Sequence, residues 1–232
     1  MGAFLVALMR VGAVSFTAPV IGDNGVPVRA RLVFCVAVAI ALAANRPGVN
    51  PEDVPVTALV ELGSGIITGL TARFVMARLA TAGQMIGMAL GLGFASEYDV
   101  HAGENAGVVR TLASTLGGLA FLAAHGLEAI VRSVSTPASG LGMLMQSNDL
   151  LRQGAMSFSY GLSLAAPIIL AALVGNLGIA VMNRAAPAVN VFSVALGAVL
   201  CLGFALLIGS AGGFVAGALD VARESTAVLA PR

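Results

Sequence analysis

Four side chains able to ligate a metal or carry a proton fall close together in one polar stretch: Glu97, Asp99, His101 and Glu104. Oxygen and nitrogen donors at this spacing could begin a metal shell, but no second cluster stands ready to complete it. His125 is isolated on an apolar segment, where packing is the ordinary role of such a residue. The sequence holds no Gly-x-Ser-x-Gly elbow, no His-Glu-x-x-His pair, no Cys–His pair and no phosphate loop. Lysine is absent and all 12 cationic residues are arginine, which removes Schiff-base and Walker-type chemistry. No catalytic residue, cofactor or metal is therefore expected.

A second set of charges poses a different problem. Arg10, Glu61, Arg73, Arg78, Arg110 and Glu128 lie inside apolar segments. Each would cost ~2.5–3.5 kcal/mol at the centre of a membrane helix. They must pair, line an aqueous path, or sit outside the hydrocarbon.

The elements around these charges are apolar. Of 232 residues, 58% are hydrophobic and 10% charged, and the mean hydropathy is +0.97. Soluble domains carry roughly 25% charged residues. A lipid-solvated protein follows, and the net charge of +1, without a basic aromatic patch, implies no nucleic-acid partner. Cys35 and Cys201 each sit in an apolar run and are expected to be small buried hydrophobes.

A spanning helix needs ~20 mostly apolar residues. An all-α membrane protein of six or seven apolar segments is expected. These are Gly2 to Ile21, Leu32 to Ala44, Val56 to Ala80, Ala82 to Ala95, Val108 to Val131, Gln153 to Asn183 and Ala185 to Leu219. The third and fourth could form one long bent helix. Polar breaks are expected at Ser96 to Gly107 and Arg132 to Asp149. The first segment lacks a basic start and a small-residue cleavage site, so it reads as a membrane segment rather than a signal peptide. The last two form a hairpin whose arms are uncharged apart from Arg184 between them, and Pro167 should bend the first arm. Arg29, Arg31 and Arg46 occupy successive connections, so the positive-inside rule yields no consistent topology.

Glycine is frequent, at 29 residues. Gly83, Gly87 and Gly91 recur every four residues, as do Gly209, Gly213 and Gly217, with Gly65 and Gly69 as a shorter pair. Four-residue spacing lets a second helix approach closely, within the chain or from a partner.

The junction of the last hairpin carries the most specific pattern. It reads Leu164-Ala-Ala-Pro167-Ile, then Gly175-Asn176-Leu177-Gly178, then Asn183-Arg184-Ala-Ala-Pro187-Ala-Val-Asn190-Val-Phe192. This resembles the FliR/SctT family of flagellar and type III secretion export-gate subunits. Arg10 with Gly25-Val26-Pro27, Glu61 with Gly65 and Gly69, and Ala82-Gly83-Gln84 leading to Gly91-Leu92 agree in order. Ala89 stands where the family often has Gln, and Asp99-Val100 where Asp-Pro is usual.

The resemblance implies a pore-forming complex with FliP and FliQ in the bacterial inner membrane at the flagellar basal body. FlhB and FlhA would be neighbours, and unfolded flagellar proteins the cargo. It implies a FliP-like part over residues 1–153 and a FliQ-like hairpin over 154–232. The loop 94–107, with Phe94, Glu97, Tyr98, Asp99 and His101, would help plug the closed pore. Arg184 and Asn190 would orient the hairpin turn and Pro187 would stop helix propagation. A small-solute secondary transporter is the alternative, since broken helices serve transporters too. The uncharged hairpin occurs once, without the internal repeat such a transporter would favour.

Overall fold

The computed structural model of the chain describes residues 2–23, 25–46, 48–92, 97–99, 104–138, 140–185 and 191–229. Among the described residues, seven helices make up the body: α1 Gly2–Thr17, α2 Val28–Ala43, α3 Val54–Ala89, α4 Val108–Ala123, α5 Gly126–Ser135, α6 Gly140–Ala185 and α7 Val191–Leu229. A small antiparallel hairpin, β1 Glu97–Asp99 with β2 Glu104–Ala106, stands between α3 and α4.

The chain is a helical membrane protein. Among the described residues, three helices are long and apolar enough to cross a bilayer: α3, the 146–182 part of α6 and the 201–229 part of α7. The bent pair α4–α5 would make a fourth. The first segment does not reach that length. α1 ends at Thr17 after 16 residues, or about 24 Å of helix, against a hydrocarbon core of roughly 30 Å.

Proline and glycine set several boundaries. α2 starts directly after Pro27, and α3 carries Pro55 in its first turn, where the missing N–H costs nothing. The segment Val56 to Ala80 and the expected segment after it, as far as Ala89, merge into the single α3, since neither a proline nor a cap interrupts them. Gly91, in the left-handed region at φ 73°, follows the end of α3. It therefore lies off the helical face that Gly83 and Gly87 occupy.

Two expectations about the second half of the chain change. The segment Val108 to Val131 is broken: α4 and α5 meet at 63°, with His125 at φ 59° between them. Phe121, fully buried, lies under Gly126, where an added Cβ would come within 2.2 Å of its ring. The expected polar break at Arg132 to Asp149 is helical from Gly140 onward, so positions 153 and 154 both lie inside α6.

α3 is the central spine. α1 and α6 run parallel to it, with Gly65 against Ala13 and Ser157 against Phe74. α4 and α7 run antiparallel to it, with Gly83 against Val109 and Ser225 against Ala72. The core forms around Val75, Leu79, Phe121, Ile130 and Val221, and a second cluster around Ile86, Leu90 and Ile168.

Candidate functional site

Among the described residues, buried charge gathers in two clusters around α3, with Arg31 of α2 buried apart from them. In the first, Glu61 is 1% exposed and accepts Arg10 Nη1 at 2.8 Å and Arg46 Nη1 at 3.2 Å. Arg10 comes from α1 and Arg46 from the connection before α3. The other guanidinium nitrogens reach backbone carbonyls: Arg10 Nη2 donates to Ser133 O and Arg46 Nη2 to Val134 O. Desolvation lowers the pKa of Arg46; Glu61 opposes that effect and Arg10 adds to it.

The second cluster lies about four to five helical turns along α3. Arg78 donates to both oxygens of Glu224, at 2.5 and 3.1 Å, and to Gln153 Oε1. Gln153 Nε2 donates to Glu224 Oε1 at 3.2 Å, and the guanidinium stands 5.1 Å from the Tyr160 ring centroid. Three helices, α3, α6 and α7, thus share one planar fork, a geometry that arginine supplies and lysine does not.

The remaining singled-out charges sit differently. Arg73 pairs with Asp23 at 3.1 Å on the surface, and Glu128 pairs with Arg132 at 2.6 Å on the exposed side of α5. Arg110 lies in the first turn of α4, its backbone against Gly83. Arg46 and Glu224 are not among the charges that the sequence places inside apolar segments, and the neutral Gln153 is not singled out by it either. Arg46 stands at the start of a proline-rich linker, just before Pro47, and Glu224 lies beyond the uncharged arm of α7.

Glycines act at close crossings. A Cβ at Gly65 would stand 2.9 Å from Arg10 O, at Gly69 3.0 Å from Ala18 N, and at Gly83 2.8 Å from Val109 O. Gly87 has ordinary contact with Val109, and Gly217 faces Leu164 of α6. A Cβ at Gly209 or Gly213 would meet nothing within 4 Å.

The hairpin arms extend well past their own packing. Large apolar side chains are exposed along α6 at Leu170, Leu173, Val174, Leu177, Val181 and Met182, and along α7 at Leu202, Phe204 and Ile208. Cys35 is buried as expected, but Cys201 is exposed on α7. α6 runs through Pro167, and Asn176 and Arg184 are exposed on it. Asn183 is in its last turn, and Phe192 is in the first turn of α7. Pro187 and Asn190 lie outside the described residues, as do Phe94 and His101. Glu97, Tyr98 and Asp99 form β1, paired with Ala106, Asn105 and Glu104.

Comparison with known proteins matches residues 1–224 to the model of bacterial export proteins, family 1. The chain belongs to this family. A relative named flagellar biosynthetic protein FliR, from Caulobacter vibrioides, is 34% identical over 227 residues, covering 93% of this chain and 90% of the relative. The FliR of Escherichia coli K12 is 32% identical over 214 residues, covering 86% and 80%. That of Aquifex aeolicus is 29% identical over 215 residues, covering 88% and 83%. The match to bacterial export proteins, family 1, spans both buried charge clusters, since Glu224 is its last residue.

Proposed function

We propose that this chain is a subunit of the flagellar type III protein export gate in the bacterial inner membrane, at the basal body. It assembles with FliP and FliQ around a pore through which unfolded flagellar proteins leave, with FlhB and FlhA beside it. The family match over residues 1–224 carries this reading. The hairpin supports it: only 17% of the apolar window in each arm is buried by the chain itself. A helix that is apolar on every side needs lipid or other protein around it. Glycines open to the outside, such as Gly209 and Gly213, allow a partner helix to come close.

The test is co-expression of the tagged chain with FliP and FliQ from the same genome, extraction in mild detergent and sizing of the product. One large particle holding all three is the expected result. A lone chain, with both partners well expressed, overturns the assignment. In that case solute uptake into vesicles is the next assay.

A further inference from the structure

α5 ends where the chain turns from the body into the 46-residue α6. The last carbonyls of a helix have no partner within it. Two of them here are consecutive, and each is met by a different arginine: Ser133 O by Arg10 at 2.8 Å and Val134 O by Arg46 at 2.7 Å. Glu61 joins the two guanidinium groups. Its Oε1 also accepts the backbone N–H of Ala138 at 3.1 Å, on the link just before α6. One turn along α3, Ser64 Oγ lies 3.2 Å from Gln146 Oε1, inside α6.

Two cations face one anion, and their side chains are 5%, 8% and 2% exposed. The surplus positive charge points at the C-terminal end of α5, which carries the equivalent of about half a negative charge. The cluster is therefore matched to backbone groups and not only to itself. We propose that Arg10, Arg46 and Glu61 form a junction clamp. The arginines cap α5, Glu61 holds the link at Ala138, and together they set where α6 leaves the body. These are positioning residues for the hairpin.

The demands of such a clamp are directional. Carbonyls need donors, and the Ala138 N–H needs an acceptor. Exchanging the charges, with Arg46→Glu and Glu61→Arg, keeps one ion pair but sets Arg10 against a guanidinium. It also turns a carboxylate toward Val134 O and a guanidinium toward the Ala138 N–H, so those contacts of the clamp are lost.

The experiment uses the full chain in detergent micelles with Cys201→Ser and Ala138→Cys, treated with a water-soluble maleimide. Native Cys35, buried between α2 and α1, reports on the rest of the fold. Glu61→Ala and the charge exchange should each raise labelling at position 138 by about tenfold or more, the scale of losing a charged hydrogen bond, with Cys35 still protected. Arg46→Met, which leaves a balanced Arg10–Glu61 pair, should raise it about threefold. The proposal is overturned if Glu61→Ala leaves labelling unchanged, if the charge exchange leaves it unchanged, or if Cys35 reacts in step. Should Glu61→Ala fail to fold, an unchanged rate in Arg46→Met overturns it equally.

Discussion

The ion pair between Arg78 and Glu224 has two unequal ends. The Arg78 side chain is 2% exposed and that of Glu224 is 42% exposed. Glu224→Ala leaves a guanidinium in the seam between α3, α6 and α7 without its carboxylate. Stranding a buried charge in this way costs about 3–5 kcal/mol. Arg78→Met instead fills the seam with an unbranched apolar chain and leaves a carboxylate that water already reaches. Solvent screening at that end reduces the loss to about 1 kcal/mol. For a chain of this size each kcal/mol moves Tm by about 2–4 °C. Glu224→Ala should thus lower Tm by roughly 6–20 °C and Arg78→Met by roughly 2–4 °C. The double variant removes both charges and should unfold nearer to Arg78→Met than to Glu224→Ala, because the two residues couple directly. Far-UV circular dichroism in mild detergent suits a chain without tryptophan. If Arg78→Met is the more damaging change, or if the double variant is no better than Glu224→Ala, burial does not set the cost and the reasoning fails.

Three further outcomes are expected. Gly83→Val must push α4 off α3, because the clashing atoms include Val109 O and Arg110 Cα; a loss of about 1–3 kcal/mol or more should appear in thermal unfolding. Gly209→Ala with Gly213→Ala meets open space, so the isolated chain should gain about 0.5–1 kcal/mol per site, while co-purification with FliP and FliQ should fall if those faces carry partners. His125→Gly relieves a left-handed residue whose side chain is 83% exposed, and should raise unfolding stability by about 1 kcal/mol; a loss would show that the imidazole itself holds the α4–α5 bend.

Much of the fold is readable from local chemistry. The uncharged runs on either side of Arg184 announce the hairpin, and the nearly continuous apolar run from Val56 announces α3. The break at His125 is not readable this way, because no proline marks it. It depends on Phe121 occupying the space that a side chain at Gly126 would need. The buried ends of the charge clusters are equally hidden. Arg10 and Glu61 stand out as charges in apolar segments, whereas Arg46 and Glu224 lie near segment ends and look like ordinary surface residues.

Composition and the length of the apolar runs determined that this chain is helical and meets lipid: with 10% charged residues it cannot cover a water-facing surface, and apolar runs of about 20 residues satisfy their backbone groups within helices. Motif order determined the family. Only the tertiary structure decided which charges pair, since Arg10 and Glu61 are 51 residues apart and Arg78 and Glu224 are 146 apart. Pairing across such distances depends on which helix faces meet. That choice is made by close crossings at glycines such as Gly65 and Gly83 and by the volumes packed around α3, not by any local preference of the residues concerned.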